Sequence, residues 1–422
     1  MEGEVKIMRS PLIMVCAVIL VTACGRVPGA PLESGDFKLY EATSDRSQIA
    51  VIDLKSHAIE RRMQLGTPSS NWKHLYSVAS NMLYDVDPET GSSVKTLQLP
   101  GYYQLPRVTL SGMPGGLSQD SRWLVLESFD ESPTTMPTAS HFLVVSTQLD
   151  SAPVRIDLRG YFAFDTVSND GLRLYLIEYM SASNYRVRIY NVPAEQLDPQ
   201  VVVDKSDPRE SMTGERLSGI PAKDGTWLFS MYVRQSDSPF IHALNLDGTP
   251  IALCIDLPGL GYEKDMNAFR WSLAMSADGA HLYAANAASG VVSEINTGAN
   301  GLELARSVHI DSGRAVAGTF AKDVQAKEFS SNAAVVSLDG QTLATASSSG
   351  IVLIETKGLR VRAHALAGWN VWSLALSPDG KVVYALSDSG KIAEVSMESG
   401  HVGATFDTGA GFPMGIMRVV AA

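Results

Sequence analysis

The chain has 422 residues, 45% of them hydrophobic and 19% charged, with 35 glycines and 20 prolines. That is a globular composition with many turns, able to fill a sizeable core and lacking the glycine and proline excess of disordered chains. A formal net charge of −11 makes a surface that repels phosphate backbones and anionic headgroups. It argues against nucleic acid as a partner and against attachment to a membrane by charge alone.

Residues 1–23 pass from Lys6 and Arg9 through the apolar run Pro11–Leu20 to small residues. This is the layout of an export signal, too short for a membrane span. The run ends in Val21-Thr22-Ala23-Cys24-Gly25, which resembles a bacterial lipobox. The resemblance implies cleavage before Cys24 and a diacylglycerol on its thiol. Each buried CH₂ of such chains is worth ~0.8 kcal/mol, so several acyl chains anchor permanently. Glycine rather than aspartate after the cysteine favours an outer-membrane or cell-surface location. Cys16 leaves with the signal and Cys24 is acylated, leaving Cys254 without a disulfide partner; an exported chain of this kind is held by its core. Cys254, inside the apolar run IALCIDL, is expected to be a buried small hydrophobe. Residues 24–36 read as a tether.

From residue 37 onward one hairpin recurs. Its clearest copy is Ser377-Pro-Asp-Gly380 between two apolar runs; others are Ser118-Gln-Asp-Ser121, Ser168-Asn-Asp-Gly171, Ala222-Lys-Asp-Gly225, Ser276-Ala-Asp-Gly279 and Ser337-Leu-Asp-Gly340, with Ser69-Ser-Asn-Trp72 a weaker one. Aspartate bonds the local backbone and glycine takes the left-handed conformation that closes the turn. Five positions past the aspartate stands a large residue: Tyr175, Phe229, Tyr283 or Tyr384. The aspartates at 120, 170, 224, 278, 339 and 379 repeat at the period of a supersecondary unit. Each unit adds two further strands, so four short strands per unit predict a β-propeller, in which neighbouring sheets bury each other's faces. Three-strand groups starting near 37, 74, 122, 172, 226, 280, 341 and 381 predict eight blades, or seven if the first two merge, since only Thr67–Trp72 separates those two. The first group, FKLYEAT, QIAVIDLKS and AIERRMQLG, lacks an inner strand, and the chain ends in the unpaired pattern GFPMGIMRVVAA. Pairing the two ends completes one blade and leaves no sheet edge open. Residues 37–422 thus form a single domain.

The stretch SPDGKVVYALSDSGKIAEVSMESG, residues 377–400, is similar to the YVTN/WD-type propeller repeats of bacterial extracytoplasmic proteins. The likeness is clear over 268–409 and loose over 37–260. It implies a fold only, because that family spans surface-layer proteins, lactonases, electron-transfer dehydrogenase subunits and scaffolds.

In such a ring the first-to-second and third-to-fourth strand turns share one rim, and the remaining connections share the other. The long segments here are 131–140, 205–216, 259–270 and 311–332, and all map to the second rim, which we call the loop rim. Length concentrated on one side of a rigid scaffold marks a binding face. The candidate binding residues are Arg209, Glu210, Arg216, Tyr262, Glu263, Lys264, Asp265, Arg270, Arg314, Lys322 and Asp323. Mixed charge with an aromatic suits contact with a protein or a glycan.

Chemistry is sparse. The eight histidines are scattered, with no His-x-x-x-His or Cys-x-x-Cys pair, and no metal or cofactor is expected. His74 and His281 occupy one repeat position, which points to packing. No Gly-x-Ser-x-Gly elbow occurs, and the turn aspartates lie on the rim opposite the long loops. No catalytic residue is assigned. Two readings remain: a lipid-anchored binding or scaffold propeller that holds a protein, glycan or envelope component on its loop rim, or an extracytoplasmic enzyme of lactonase or dehydrogenase-subunit type. The second would use polar inner-strand starts, of which Asp165, Arg270, Asn332 and Asn370 are the ones present.

Overall fold

A computed structural model describes residues 32, 35–44, 47–110, 112–130, 136–204, 211–298, 301–311 and 333–422. Cys24, Arg209, Glu210, Arg314, Lys322, Asp323 and Asn332 lie outside the described residues.

The recurring turn works as its residue types dictate, with one addition. The serine hydroxyl donates to the aspartate two residues on, at 2.7 Å in Ser118–Asp120, 2.6 Å in Ser276–Asp278 and 2.6 Å in Ser377–Asp379. The same hydroxyl accepts the amide five residues on, from His281 at 3.0 Å and Val382 at 3.0 Å. A single side chain thereby staples both strands of the hairpin. Gly380 closes its turn at φ 75°, a conformation that costs other residues strain. In the Ala222 copy, which lacks the serine, Thr226 donates to Asp224 instead, at 2.7 Å. The large residues five positions on, Tyr175, Phe229, Tyr283 and Tyr384, are all buried. His74 and His281 each open a second strand beside an acid of the third, Asp85 at 2.9 Å and Glu294 at 3.2 Å, and stack on Tyr76 and Tyr283.

The described strands fall into eight blades of a β-propeller. Blade 1 joins the chain ends: Phe37–Thr43, Gln48–Asp53 and Ala58–Gln64 are completed by the C-terminal strand Pro413–Ala421. Its register pairs Leu39 with Val419 and Glu41 with Ile416. Blade 2 is Thr67–Pro68, Leu75–Ala79, Met82–Val86 and Ser93–Gln98. The short spacer noticed in the sequence becomes an inner strand of two residues, so the first two groups stay separate. Blade 3 has Trp123–Phe129, Ala139–Ser146 and Val154–Arg159, its inner strand reduced to the bridges Gln104↔Glu127 and Leu117↔Leu124.

Blade 4 is Tyr161–Val167, Arg173–Ser181, Asn184–Asn191 and Gln196–Asp204. Blade 5 is Glu215–Pro221, Trp227–Val233, Phe240–Asn245 and Ile251–Asp256. The outer strands of blades 4 and 5 pair in parallel, Val203 with Ile251, merging them into one eight-stranded sheet. Blade 6 is Ser272–Met275, His281–Asn286, Val291–Gly298 and Gly301–His309. Blade 7 is Ala334–Val336, Thr342–Ser347, Gly350–Glu355 and Arg360–Ala365. Blade 8 is Val371–Leu376, Val382–Ser387, Lys391–Ser396 and Val402–Asp407.

The core is the set of contacts between neighbouring blades. Each interface has a buried cluster, including Leu39 with Leu386 where blade 8 meets blade 1, and Ala346 with Val383 between blades 7 and 8. The interface of blades 4 and 5 has two. One is apolar and lies toward the turn rim, around Tyr175, Leu228 and Leu244; the other lies toward the loop rim, around Tyr185, Tyr232 and Phe240.

Candidate binding site at the loop rim

The connections after Phe129, Asp204, Asp256 and His309 all leave from one rim, as their place in the strand order requires. A fifth long connection, after Gln98, escaped the sequence reading. It runs to Trp123 and contains an insertion in the middle of the inner strand of blade 3. Residues 106–110 and 112–115 leave that strand as the two arms of a hairpin, with Arg107 bridging Pro114. The hairpin reaches across the channel: the Leu110 amide donates to the Leu217 carbonyl on the inner strand of blade 5, at 3.0 Å. Gly112 approaches Met414 of blade 1 so closely that an added Cβ would touch its methyl.

This hairpin divides the channel. On the turn-rim side lies a cavity of about 990 Å³, lined by inner-strand residues such as Leu273, Val335, Leu374 and Ile416. On the loop-rim side a cavity of about 620 Å³ is lined by Gln104, Arg107, Leu110 and Met414, and the two share no lining residue. Below the hairpin's stem, the buried Glu127 carboxyl accepts the Phe164 amide at 3.4 Å. Burial pushes that carboxyl up to about 7, against the pull of this hydrogen bond and of Arg107.

A third cavity, about 510 Å³, opens on the same rim between blades 4 and 5. The register places Arg216, Ser230, Tyr232, Phe240, His242 and Cys254 on the face of blade 5 that meets blade 4. Opposite stand Asp165, Tyr179, Tyr185 and Asp204. Arg216 pairs with the buried Asp165 of the neighbouring inner strand. A ladder of rings crosses the interface, Tyr161–Tyr179 at 4.7 Å, Tyr179–Tyr185 at 5.8 Å, Tyr185–Tyr232 at 6.2 Å and Tyr232–Phe240 at 5.1 Å.

At the cavity wall His242 is 2% exposed, its Nδ1 3.5 Å from the Cys254 thiol, while the Cys254 amide donates to Asp204 at 2.8 Å. Burial holds the imidazole down to about 4, against the opposing pull of Asp165 and Asp204, so it is neutral at physiological pH. Burial, and then Asp204, pushes the Cys254 thiol up, keeping it protonated. Burial also raises the Glu215 carboxyl. Four buried polar atoms here, Tyr185 Oη, Tyr232 Oη, His242 Nε2 and Arg216 Nε, have no protein hydrogen-bond partner. Native interiors hold few such groups, and each costs about 1–3 kcal/mol.

No protein-family model matches the sequence, and no curated protein matches it. Solved structures do resemble it. AztD of Citrobacter koseri superposes with a TM-score of 0.53 at 8% identity, over 92% of this chain and 99% of that one. A dihydro-heme d1 dehydrogenase, NirN, superposes with a TM-score of 0.50 at 12% identity, over 94% of this chain and 78% of that one. The likeness is one of fold. At such identities it transfers no activity, so the site is argued from this chain's own residues.

The described candidates sort by what they touch. Glu263 and Lys264 are exposed on the rim. Tyr262 is half-buried, rests on Phe269 at 5.0 Å and lines the cavity between blades 4 and 5. Arg216 turns inward to Asp165 and forms part of the inter-blade cluster. Asp265 accepts the Asn267 amide at 3.0 Å, capping the short 3₁₀ helix Met266–Arg270, and accepts the Ser289 hydroxyl at 2.9 Å. Arg270 donates to Asn370 at 3.0 Å, and Asn370 donates to Asp388 at 2.7 Å, which links the entry of blade 6 to blade 8. Cys254 departs from expectation: it is half-buried and lines the cavity beside an imidazole. The apolar run around it hides this, because its strand is the outermost of blade 5, where one face stays partly open. His242 has no motif around it; only its place opposite Cys254 in the register exposes it. Among the described residues no three His, Cys, Asp or Glu side chains come together as a metal site.

Proposed function

We propose that this chain is a lipid-anchored, extracytoplasmic propeller of YVTN/WD type, tethered through Cys24, which binds or scaffolds a protein, glycan or envelope component on its loop rim. The observation that carries the reading is the 106–115 hairpin. By crossing the channel it leaves the rim, with its two clefts and the exposed Glu263 and Lys264, as the surface on that side where a partner can dock. The lipobox-like stretch supplies the anchor and the location, with an outer-membrane or cell-surface position favoured by Gly25. The alternative, an enzyme at the channel mouth, relies on the polar inner-strand starts. Asp165 is engaged by Arg216, and Arg270 and Asn370 bond to each other, which suits a structural role better than attack on a substrate.

A photocrosslinking residue tests the reading in intact cells when placed at Glu263 and, separately, at Lys381 on the turn rim. Discrete adducts from Glu263 and none from Lys381 are expected; equal labelling from both rims, or none from either, overturns the binding rim. Cys24→Ser is expected to move the protein from the membrane to the soluble fraction. Retention in the membrane fraction would remove the lipid anchor from the account.

A further inference from the structure

The cleft between blades 4 and 5 has the features of a small-molecule site. Its volume of about 510 Å³ lies within the range of ligand pockets. His242 lines it, is almost wholly buried, and has an unpartnered Nε2. The class of ligand follows from how the charges in the wall are already committed. Arg234 is the one cation among the described lining residues, and it is held by Asp256 at 2.9 Å, by Asp237 at 3.5 Å and by the Phe240 ring, whose centroid is 4.0 Å away. Among the described lining residues an anion therefore finds no open counter-charge and meets Asp204, Glu215 and Asp237. A cation finds Asp204 bonded to the Cys254 amide, Asp237 facing Arg234, the Glu215 carboxyl held toward its neutral form by burial, and a neutral imidazole at the wall.

We infer that this cleft binds a neutral, hydroxyl-rich ligand, a saccharide unit, with His242 hydrogen-bonding one hydroxyl and Tyr262 covering an apolar face of the sugar ring at the mouth. The inference rests on the binding role proposed above and narrows it to the glycan class for this cleft. Sugar hydroxyls both donate and accept, which matches a wall that offers a neutral imidazole beside carboxyl oxygens. A buried polar group that gains such a partner recovers part of its desolvation cost.

Cys254 supplies the probe, since its thiol lines the cleft. The full-length protein in detergent is treated with iodoacetamide at pH 9 over hours, which draws on the small thiolate fraction of a thiol held up by burial, and modification of the Cys254 peptide is followed by mass spectrometry. Glucose, galactose and N-acetylglucosamine are titrated in, with gluconate and putrescine as charged counterparts. At least one neutral sugar is expected to slow alkylation fivefold or more, saturably, while gluconate and putrescine do not. His242→Phe is expected to raise the sugar concentration needed for half-protection at least tenfold, and Lys381→Ala, on the turn rim, to leave it unchanged. The inference fails if no neutral sugar protects, if a charged compound protects better, or if His242→Phe leaves protection intact. Should that variant not fold, the titration of the unaltered protein still decides. A partner captured from Glu263 with no sugar protecting Cys254 would sink the saccharide site and leave the binding rim standing.

Discussion

Blades 6 to 8 and blades 3 to 5 are built from the same repeat and differ in what they bury. In blades 6 to 8 the inner strands are uninterrupted and the second strands, HLYAAN, TLATAS and VVYALS, are buried almost throughout. Small residues such as Ala284, Ala344 and Ala385 let the sheets approach, and Val, Ile and Leu fill the space. In blades 3 to 5 an inner strand is broken by a ten-residue hairpin, two sheets fuse at their outer edges, and one interface exchanges aliphatics for tyrosines, a histidine and an ion pair. Regular repeats close the ring by burying apolar area, the dominant favourable contribution to folding. The departures sit on one side of the ring, and several buried polar atoms there, among them Tyr185 Oη, Tyr232 Oη and His242 Nε2, have no protein partner. Chemistry has been added where the repeat is least like itself.

The comparison can be broken at its base by cutting the closure. Removing 413–422 takes away the inner strand of blade 1, with buried Ile416 and Val419, and uncovers the edge of Phe37–Thr43 in a ring that each blade stabilises only through its neighbours. Loss of cooperative folding is expected, seen as protease sensitivity along the whole chain. If blades 6 to 8 stayed protected as a unit, the ring would be modular, and the contrast drawn here would become one between separate folding units.

Within the intact ring, Leu386→Ala deletes a fully buried side chain where blade 8 meets blade 1. A cost of about 2–5 kcal/mol is expected, read as a lowered urea midpoint. A cost under about 1 kcal/mol would mean that the regular interfaces are looser than their burial indicates.

Acid and base should probe the buried ionisable groups of blades 3 to 5 more finely. His242 sits down at about 4 when folded, below its ordinary 6.5. The stability it contributes is full above about pH 6.5 and drains away as pH falls toward 4, at a cost of about 3 kcal/mol over that window. Glu127 sits up at about 7 and works in the opposite sense. Its contribution is full below about pH 4.5 and is lost as pH rises through 7, again by about 3 kcal/mol. Glu41 in blade 1, pushed up to about 8 by burial, steepens the same alkaline limb. His242→Phe should flatten the acid limb of a thermal-midpoint-against-pH profile, and Glu127→Gln should flatten part of the alkaline one. Unchanged limbs would show that these groups titrate as exposed ones do.

What could be read beforehand divides along the same line. The turn serines, aspartates and glycines announced each second strand within a residue of where it starts, because the turn is a local object set by four or five neighbours in the chain. The closing strand was legible from an imbalance, three strands at one end and one at the other. The channel hairpin was not: its partners Leu217 and Met414 lie more than a hundred and some three hundred residues downstream, and prolines and glycines between 105 and 116 read only as a loop. Arg216 and Tyr262 were singled out for charge and aromaticity at the rim. Yet Asp165, Tyr185, His242 and Cys254 come from four different strands, and only the stacking of two sheets brings them together. Asp265 and Arg270 drew notice for the same reason as Arg216, although their charges are spent on a helix cap and on a bridge between blades.

The smallest expected effect is the most discriminating. Tyr232 is 1% exposed and its hydroxyl has no protein partner, whereas the ring packs between Tyr185 and Phe240. Tyr232→Phe keeps the ring and deletes only the orphaned oxygen, so the stability of the unliganded protein should change by less than about 1 kcal/mol, and the change should be toward greater stability, since a buried group without a bond costs free energy in the folded state alone. A loss of more than about 1.5 kcal/mol on urea unfolding would show that the hydroxyl is bonded after all, and the contrast between the two halves of the ring would then reduce to one of residue size.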